Sequence, residues 1–259
     1  MKRMVLYMLL AVLTFGILPA HTEASPINGA YHFGFKKSQN GQLPSIDQEG
    51  FKEILQHNDA IFLGDTKQKE LFLTFDNGYE NGFTPAILDV LRDKKVPAAF
   101  FVTGHYLKDQ PELVKRMAAE GHIVGNHSWS HPDMTRVSNE KIRTELDQVR
   151  SEVNRLTGQQ ATFLRPPRGI FNNRTLAESH AQGYVNVFWS VAYKDWDTKV
   201  QRGTDYARQQ VLKQLHPGAV ILLHSVSKDN TEALASIIDE ARKQGYAFKS
   251  LNDLKTKSY

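Results

Sequence analysis

Residues 71–80 read Leu71-Phe-Leu-Thr-Phe-Asp-Asn-Gly-Tyr-Glu80, an apolar run that stops on an acid, an amide and a glycine. The run reads as a buried strand, and Asp76-Asn77-Gly78 supplies turn chemistry at its end. Strand-like runs recur at 98–103, 123–126, 162–164, 185–191, 219–223 and 247–249. Helical periodicity fills the intervals at 84–94, 111–120, 138–156, 174–182, 206–215 and 231–244. In the longest of these, Ile142, Leu146, Val149, Val153 and Leu156 share a face and Gly158 marks the stop. Strand–helix alternation with short links predicts an α/β fold, its mostly parallel sheet closed or nearly closed into a barrel. No linker divides the chain after residue 70, so residues 70–255 are expected to form one domain.

Upstream the pattern weakens. Residues 25–69 carry Gly29, Gly34, Asn40-Gly41 and Pro44, and are expected to form an arm lying across the barrel. One short helix is predicted at 47–57, with Asp47 as its cap and Phe51, Ile54 and Leu55 on one face. Before the arm, Lys2 and Arg3 precede an apolar run from Met4 to Leu18, followed by Pro19, Ala20 and Ala24. That order is expected of a secretory signal over residues 1–24, with an uncleaved anchor as the alternative.

Of the 259 residues 41% are apolar and 23% charged, enough to bury a core and unlike a disordered chain. The absence of cysteine excludes thiolate nucleophiles, thiolate metal sites and disulfides. A net charge of +4 suits anionic surroundings such as cell-wall polymer. No basic stripe with interleaved aromatics points to nucleic acid.

Each polar segment that follows a strand-like run is ambiguous alone. His127 and His131 flank Ser-Trp-Ser, and Pro132 keeps His131 out of a helix. Two imidazoles this close suit zinc, cobalt or nickel, although such a pair is often structural. His32, His105 and His122 are read as structural or surface residues. In Arg165-Pro-Pro-Arg168-Gly169 the prolines stiffen the loop; Arg165 is placed to hold Asp76 ionised, and Asp195 to orient that arginine. Trp196 offers a flat wall of the kind sugars stack on. The apolar run 219–223 ends on His224, a natural general acid near neutral pH. Barrel folds of this class gather their chemistry at the C-terminal ends of several strands.

Taken together, Thr74-Phe-Asp-Asn77, His127-Ser-Trp-Ser-His131, Arg165-Pro-Pro-Arg-Gly169, Asp195-Trp196 and Leu222-Leu-His224 resemble, in order and spacing, the five motifs of the polysaccharide deacetylases (NodB-like, carbohydrate esterase family 4). The resemblance spans about residues 70–250, and its finer detail is similar to the subfamily acting on muramic acid in spore-cortex peptidoglycan, where the product goes on to a δ-lactam. It implies a distorted (β/α) barrel, Asp76 as catalytic base, His224 as general acid, Arg165 and Asp195 as their supports, and His127 and His131 as ligands of a divalent metal. Leu222 would floor the acetyl pocket. The partner implied is the peptidoglycan glycan strand, met by a monomer. A chitooligosaccharide or xylan deacetylase, and a catalytically weak glycan binder, are the competing readings.

Two positions depart from that pattern. Asn77 stands where the family has a metal-binding aspartate, which implies a weakened metal site or a metal-independent one. Arg168 stands where many members of the resembled family carry an uncharged residue, and a guanidinium there suits the lactyl carboxylate of peptide-free muramic acid.

Overall fold

The computed structural model describes residues 29–39 and 42–254; the expected signal segment, Asn40 and Gly41 lie outside the described residues. The eight-residue strand β2 (Glu70–Asn77) is buried along nearly its whole length between β3 (Ala98–Val102) and β8 (Ala219–His224). The sheet continues through β4 (Ile123–Asn126) and β5 (Phe163–Leu164) to β7 (Val185–Asn186), all parallel, while β9 (Ala247–Phe248) adds to the start of β2. In β3 all five residues are buried, as expected for a strand covered on both faces.

The register fixes which side chains meet. Asp76 on β2 pairs with His224 on β8 and with Phe101 on β3, so the acid and the histidine end adjacent strands at the same height. The 185–191 run is not one strand. It pairs with β5 for two residues, and then an upstream segment intervenes: Ile61 N–H donates to Asn186 O, and Phe188 N–H to Ile61 O. The chain then reaches β8, where Val191 bridges Ile221 and Leu222 N–H donates to Val191 O at 2.9 Å. Sparse bridges thus curl the sheet towards closure, giving the distorted (β/α) barrel.

Helices α2 (Thr84–Lys94), α4 (Pro111–Ala119), α5 (Asn139–Thr157), α6 (Asn173–Ala181), α7 (Thr204–Leu212) and α8 (Lys228–Lys243) fill the predicted intervals, with ends shifted by up to three residues. Ser138 caps α5 by accepting from Lys141 N–H, and Gly158 closes it at φ 74°. The helix α1 (Lys52–His57) begins later than predicted, because Asp47 is engaged in a turn with Ser45 and an ion pair with Lys52, and Gly50 interrupts at φ 73°. A further helix, α3 (Gly104–Asp109), was not expected; Thr103 Oγ1 caps it. Nor was the antiparallel pair of β1 (Tyr31–His32) with β6 (Ile170–Phe171), which ties the upstream segment to the chain beyond Arg168. Among the described residues no helix is long and apolar enough to cross a membrane.

Candidate active site

Four strand ends, those of β2, β4, β5 and β8, and the segment beyond Val191 deliver the polar residues to one end of the barrel. A cavity of about 1130 Å³ opens there, lined by Asp76, His127, His131, Arg168, Leu222 and His224, with Trp196 on its rim. Arg165, Asn77 and Asp195 do not line it; they stand behind the residues that do.

Arg165 is fully buried at the end of β5, its guanidinium 4.3 Å from the Phe101 ring. Its Nη1 donates to Asp76 Oδ1 at 2.8 Å, while Nε and Nη2 donate to the carbonyls of Val187 and Phe188. Burial alone would raise the Asp76 carboxyl. The Arg165 guanidinium, aided by His224, outweighs it and holds that carboxyl below the usual range, so Asp76 is ionised at neutral pH.

Asp195 is not the partner of Arg165. The three nitrogens of that guanidinium point to Asp76 and two carbonyls, and Asp195 sits instead under His224. Its Oδ1 accepts from His224 Nδ1 at 2.7 Å, and its Oδ2 accepts from His224 N–H at 2.8 Å and from Asn230 Nδ2. This fixes the tautomer and leaves Nε2 as the ring's free nitrogen. Burial pulls the imidazole down, but Asp195 and then Asp76 prevail and raise its pKa above the ordinary histidine value. Asn230, at the start of α8, was missed because its position reads as helix capping.

His127 donates Nδ1–H to Arg165 O at 2.8 Å, since a carbonyl can only accept. Its Nε2 is therefore bare, 3.5 Å from Asp76 Oδ2 and 3.2 Å from His131 Nε2. Burial keeps both rings neutral, His131 down to about 4. The two nitrogens converge either to share the His131 proton or to present two lone pairs to one cation. The intervening loop is costly: Ser128 and His131 adopt φ 63° and 57°, on the order of 1–3 kcal/mol each for residues with a Cβ.

The donor chemistry of this pair fits an imidazole-preferring ion such as zinc. Asn77 does not complete the set. It is fully buried; its Oδ1 accepts from Ser225 Oγ at 3.0 Å, and its amide nitrogen turns to Thr84 Oγ1. It belongs to a polar network with Glu80 and Tyr106, whose hydroxyl donates to Glu80 Oε2 at 2.9 Å. Among the described residues, no three His, Cys, Asp or Glu side chains gather as a metal cage.

On the cavity wall, Arg168 sits in a tight turn at φ 58°. Trp196 is 54% exposed, with Lys194 Nζ 4.8 Å from its ring centre. Leu222 presents its side chain from β8 and is 6% exposed. His105, read from the sequence as structural or surface, also lines the cavity from the first turn of α3, as does Tyr79, 46% exposed beside Gly78 and not singled out in the sequence. No spacing in the sequence marks either. His122 faces away, its Nδ1 accepting from Ala98 N–H.

Comparison with known proteins agrees with this geometry. The family model described as polysaccharide deacetylase matches residues 63–187. The peptidoglycan-N-acetylmuramic acid deacetylase PdaA of Bacillus subtilis is 51% identical over 236 residues, 91% of this chain and 89% of that protein. Its solved structure, described as a family 4 carbohydrate esterase, superposes with a TM-score of 0.85, covering 88% of this chain and 97% of that one. A family 4 carbohydrate esterase from Bacillus anthracis is likewise 51% identical, with a TM-score of 0.74 over 88% of this chain and 96% of the other. With identity of this level along most of its length and the strand-end residues in place, the chain belongs to the polysaccharide deacetylase family, carbohydrate esterase family 4.

Proposed function

We propose that the protein hydrolyses the acetamide of N-acetylmuramic acid residues in peptidoglycan glycan strands. The observation that carries this reading is the pairing of Asp76 and His224 on adjacent strand ends, lining one cavity, one ionised and the other raised towards its protonated form. A water beside Asp76 loses a proton to the carboxylate as its oxygen attacks the acetyl carbonyl. His224 Nε2 then donates a proton to the departing amine, releasing acetate and a free 2-amino sugar. Such proton-transfer groups each contribute ~10²–10⁴-fold. Backbone N–H groups at the strand ends would face the developing oxyanion.

His127 and His131 would hold a divalent ion, zinc or a similar one, which when bound would supply Lewis-acid polarisation of the carbonyl. With Asn77 committed to Ser225, that ion would be bound more weakly than by a carboxylate-containing set, and a metal-independent route remains the alternative.

Arg168 carries the specificity in this reading. Its guanidinium lines the cavity, with the Asp133 carboxylate near enough to feel its charge; a bidentate contact to the lactyl carboxylate would select peptide-free muramic acid. Trp196 offers the sugar a stacking face, and Leu222 takes the acetyl methyl. The amine formed lies on the same residue as that carboxylate, which supports onward closure to a δ-lactam in spore cortex. The Lys2–Ala24 pattern supports export to the wall.

The test is acetate release from peptide-free glycan strands, from peptide-bearing strands and from chitooligosaccharide, each with and without chelator. Preference for the peptide-free strands, lost in Arg168→Ala, is expected. Equal rates on all three in the wild type would leave the general deacetylase reading in its place.

A further inference from the structure

Glu145 lies in the middle of α5, outside every segment that marks the site, yet its carboxylate is fully buried. A buried charge is retained only where it is well partnered. Here both oxygens are committed. Oε2 accepts from Ser130 N–H at 2.6 Å; Oε1 accepts from Ser130 Oγ at 2.7 Å and from Lys141 Nζ at 2.8 Å. Ser130 is the residue before His131, and it lines the cavity.

The next residue of α5 supports the same loop from its other side. Leu146 O accepts from Asn126 Nδ2, and Asn126 Oδ1 accepts from Ser128 N–H at 2.8 Å. Ser128 Oγ in turn accepts from His131 N–H at 3.1 Å. One turn of helix therefore brackets the segment 128–131, and of these ties only the one from Glu145 is charged. It meets the chain one residue from the left-handed His131, where a free loop would relax to ordinary backbone angles.

We propose that Glu145 is the positioning residue for His131: through Ser130 it aims the second imidazole at His127. This rests on the reading of His127 and His131 as an ion-binding pair. Groups that orient a ligand side chain without touching the ion change ion affinity by roughly 10–100-fold.

The experiment uses the full chain with three substitutions. Glu145→Met keeps bulk and removes both acceptors. Glu145→Asp keeps the charge but shortens the reach, and serves if the Met variant does not fold. Glu145→Gln restores an acceptor for Ser130 N–H while the serine hydroxyl rotates to accept. Two readouts are taken beside acetate release: the long-range ¹H–¹⁵N imidazole spectrum of the metal-free protein, and affinity for Zn²⁺ or Co²⁺ by calorimetry. Displaced His131 signals are expected in the Met and Asp variants, with ion affinity and kcat lowered about 10–100-fold at nearly constant KM, and recovery in Gln to within a few-fold of wild type. A Lys141→Met control retains both Ser130 bonds; it should melt earlier without moving the His131 signals. Wild-type His131 signals in a folded Met or Asp variant would overturn the proposal. Absence of Zn²⁺ and Co²⁺ binding by the wild type would overturn the ion-binding reading instead, leaving the imidazole spectrum to decide the role of Glu145.

Discussion

Asp195→Asn tests the acid half of the site. Asp195 gives Oδ1 to His224 Nδ1 and Oδ2 to two donors, His224 N–H and Asn230 Nδ2. An asparagine keeps its oxygen where two donors point, so its amide group faces Nδ1. The ring must then carry its proton on Nε2, and a second proton can be accommodated only against the amide. What is lost is one charge-assisted hydrogen bond to the imidazolium, on the order of 1.5–3 kcal/mol, or roughly 10–150-fold in the population of the acid. The direction follows from the wild type, where Asp195 raises the histidine; its loss moves the alkaline limb of kcat to lower pH. The acid limb, which reports Asp76 and its Arg165 partner, stays in place. The assay is a pH profile of acetate release from glycan strands. An unmoved alkaline limb with a displaced acid limb would refute this reasoning and return Asp195 to a role beside Arg165.

Other consequences follow from burial and geometry. Asp76→Ala strips the ion-paired carboxylate from the fully buried Arg165, so it should lower unfolding free energy by about 3–5 kcal/mol, whereas Asp76→Asn, which keeps an acceptor, should cost less by denaturant titration. His216, 2% exposed and held by burial at about 4, remains neutral in the fold while its unfolded form protonates near 6.5. Its contribution is thus present above 6.5 and lost as pH falls towards 4, and a melting series over that window should be flatter in His216→Asn. A Cβ on Gly104 would stand 2.2 Å from the Trp129 ring; Gly104→Ala should push that side chain, and with it the histidine loop, costing about 1–3 kcal/mol and lowering kcat. Near-wild-type melting and kcat would count against that contact.

The sequence made the parallel order of elements legible because β2, β3 and β8 are long or continuously apolar, and because α5 carries an unbroken helical face between Ser138 and Gly158. It could not show that the 185–191 run hands over from β5 to β8, since that depends on Ile61 bonding to Asn186 and Phe188 from more than a hundred residues away. The site was legible where a residue's place at a strand end determines its task, as with Asp76 and His224. It was misread where the task depends on which of two nearby donors wins. Their places after strand-like runs pair Asp195 with Arg165; in the fold Asp76 and two backbone carbonyls hold the guanidinium, and Asp195 is taken by His224 and Asn230. Asn77 looked like a substituted ligand, but its neighbours Ser225 and Thr84 claim it. Glu145 gave no signal at all, since a glutamate inside a helix ordinarily faces water.

The measurement closest to the central claim is single-turnover acetate release from peptide-free muramoyl strands by the wild type, Asp76→Asn and His224→Gln, with folding checked by circular dichroism. The account predicts release by the wild type and a fall of ~10²–10⁴-fold in each variant, with the double variant little worse than either single one. Wild-type rates in either folded single variant would contradict it.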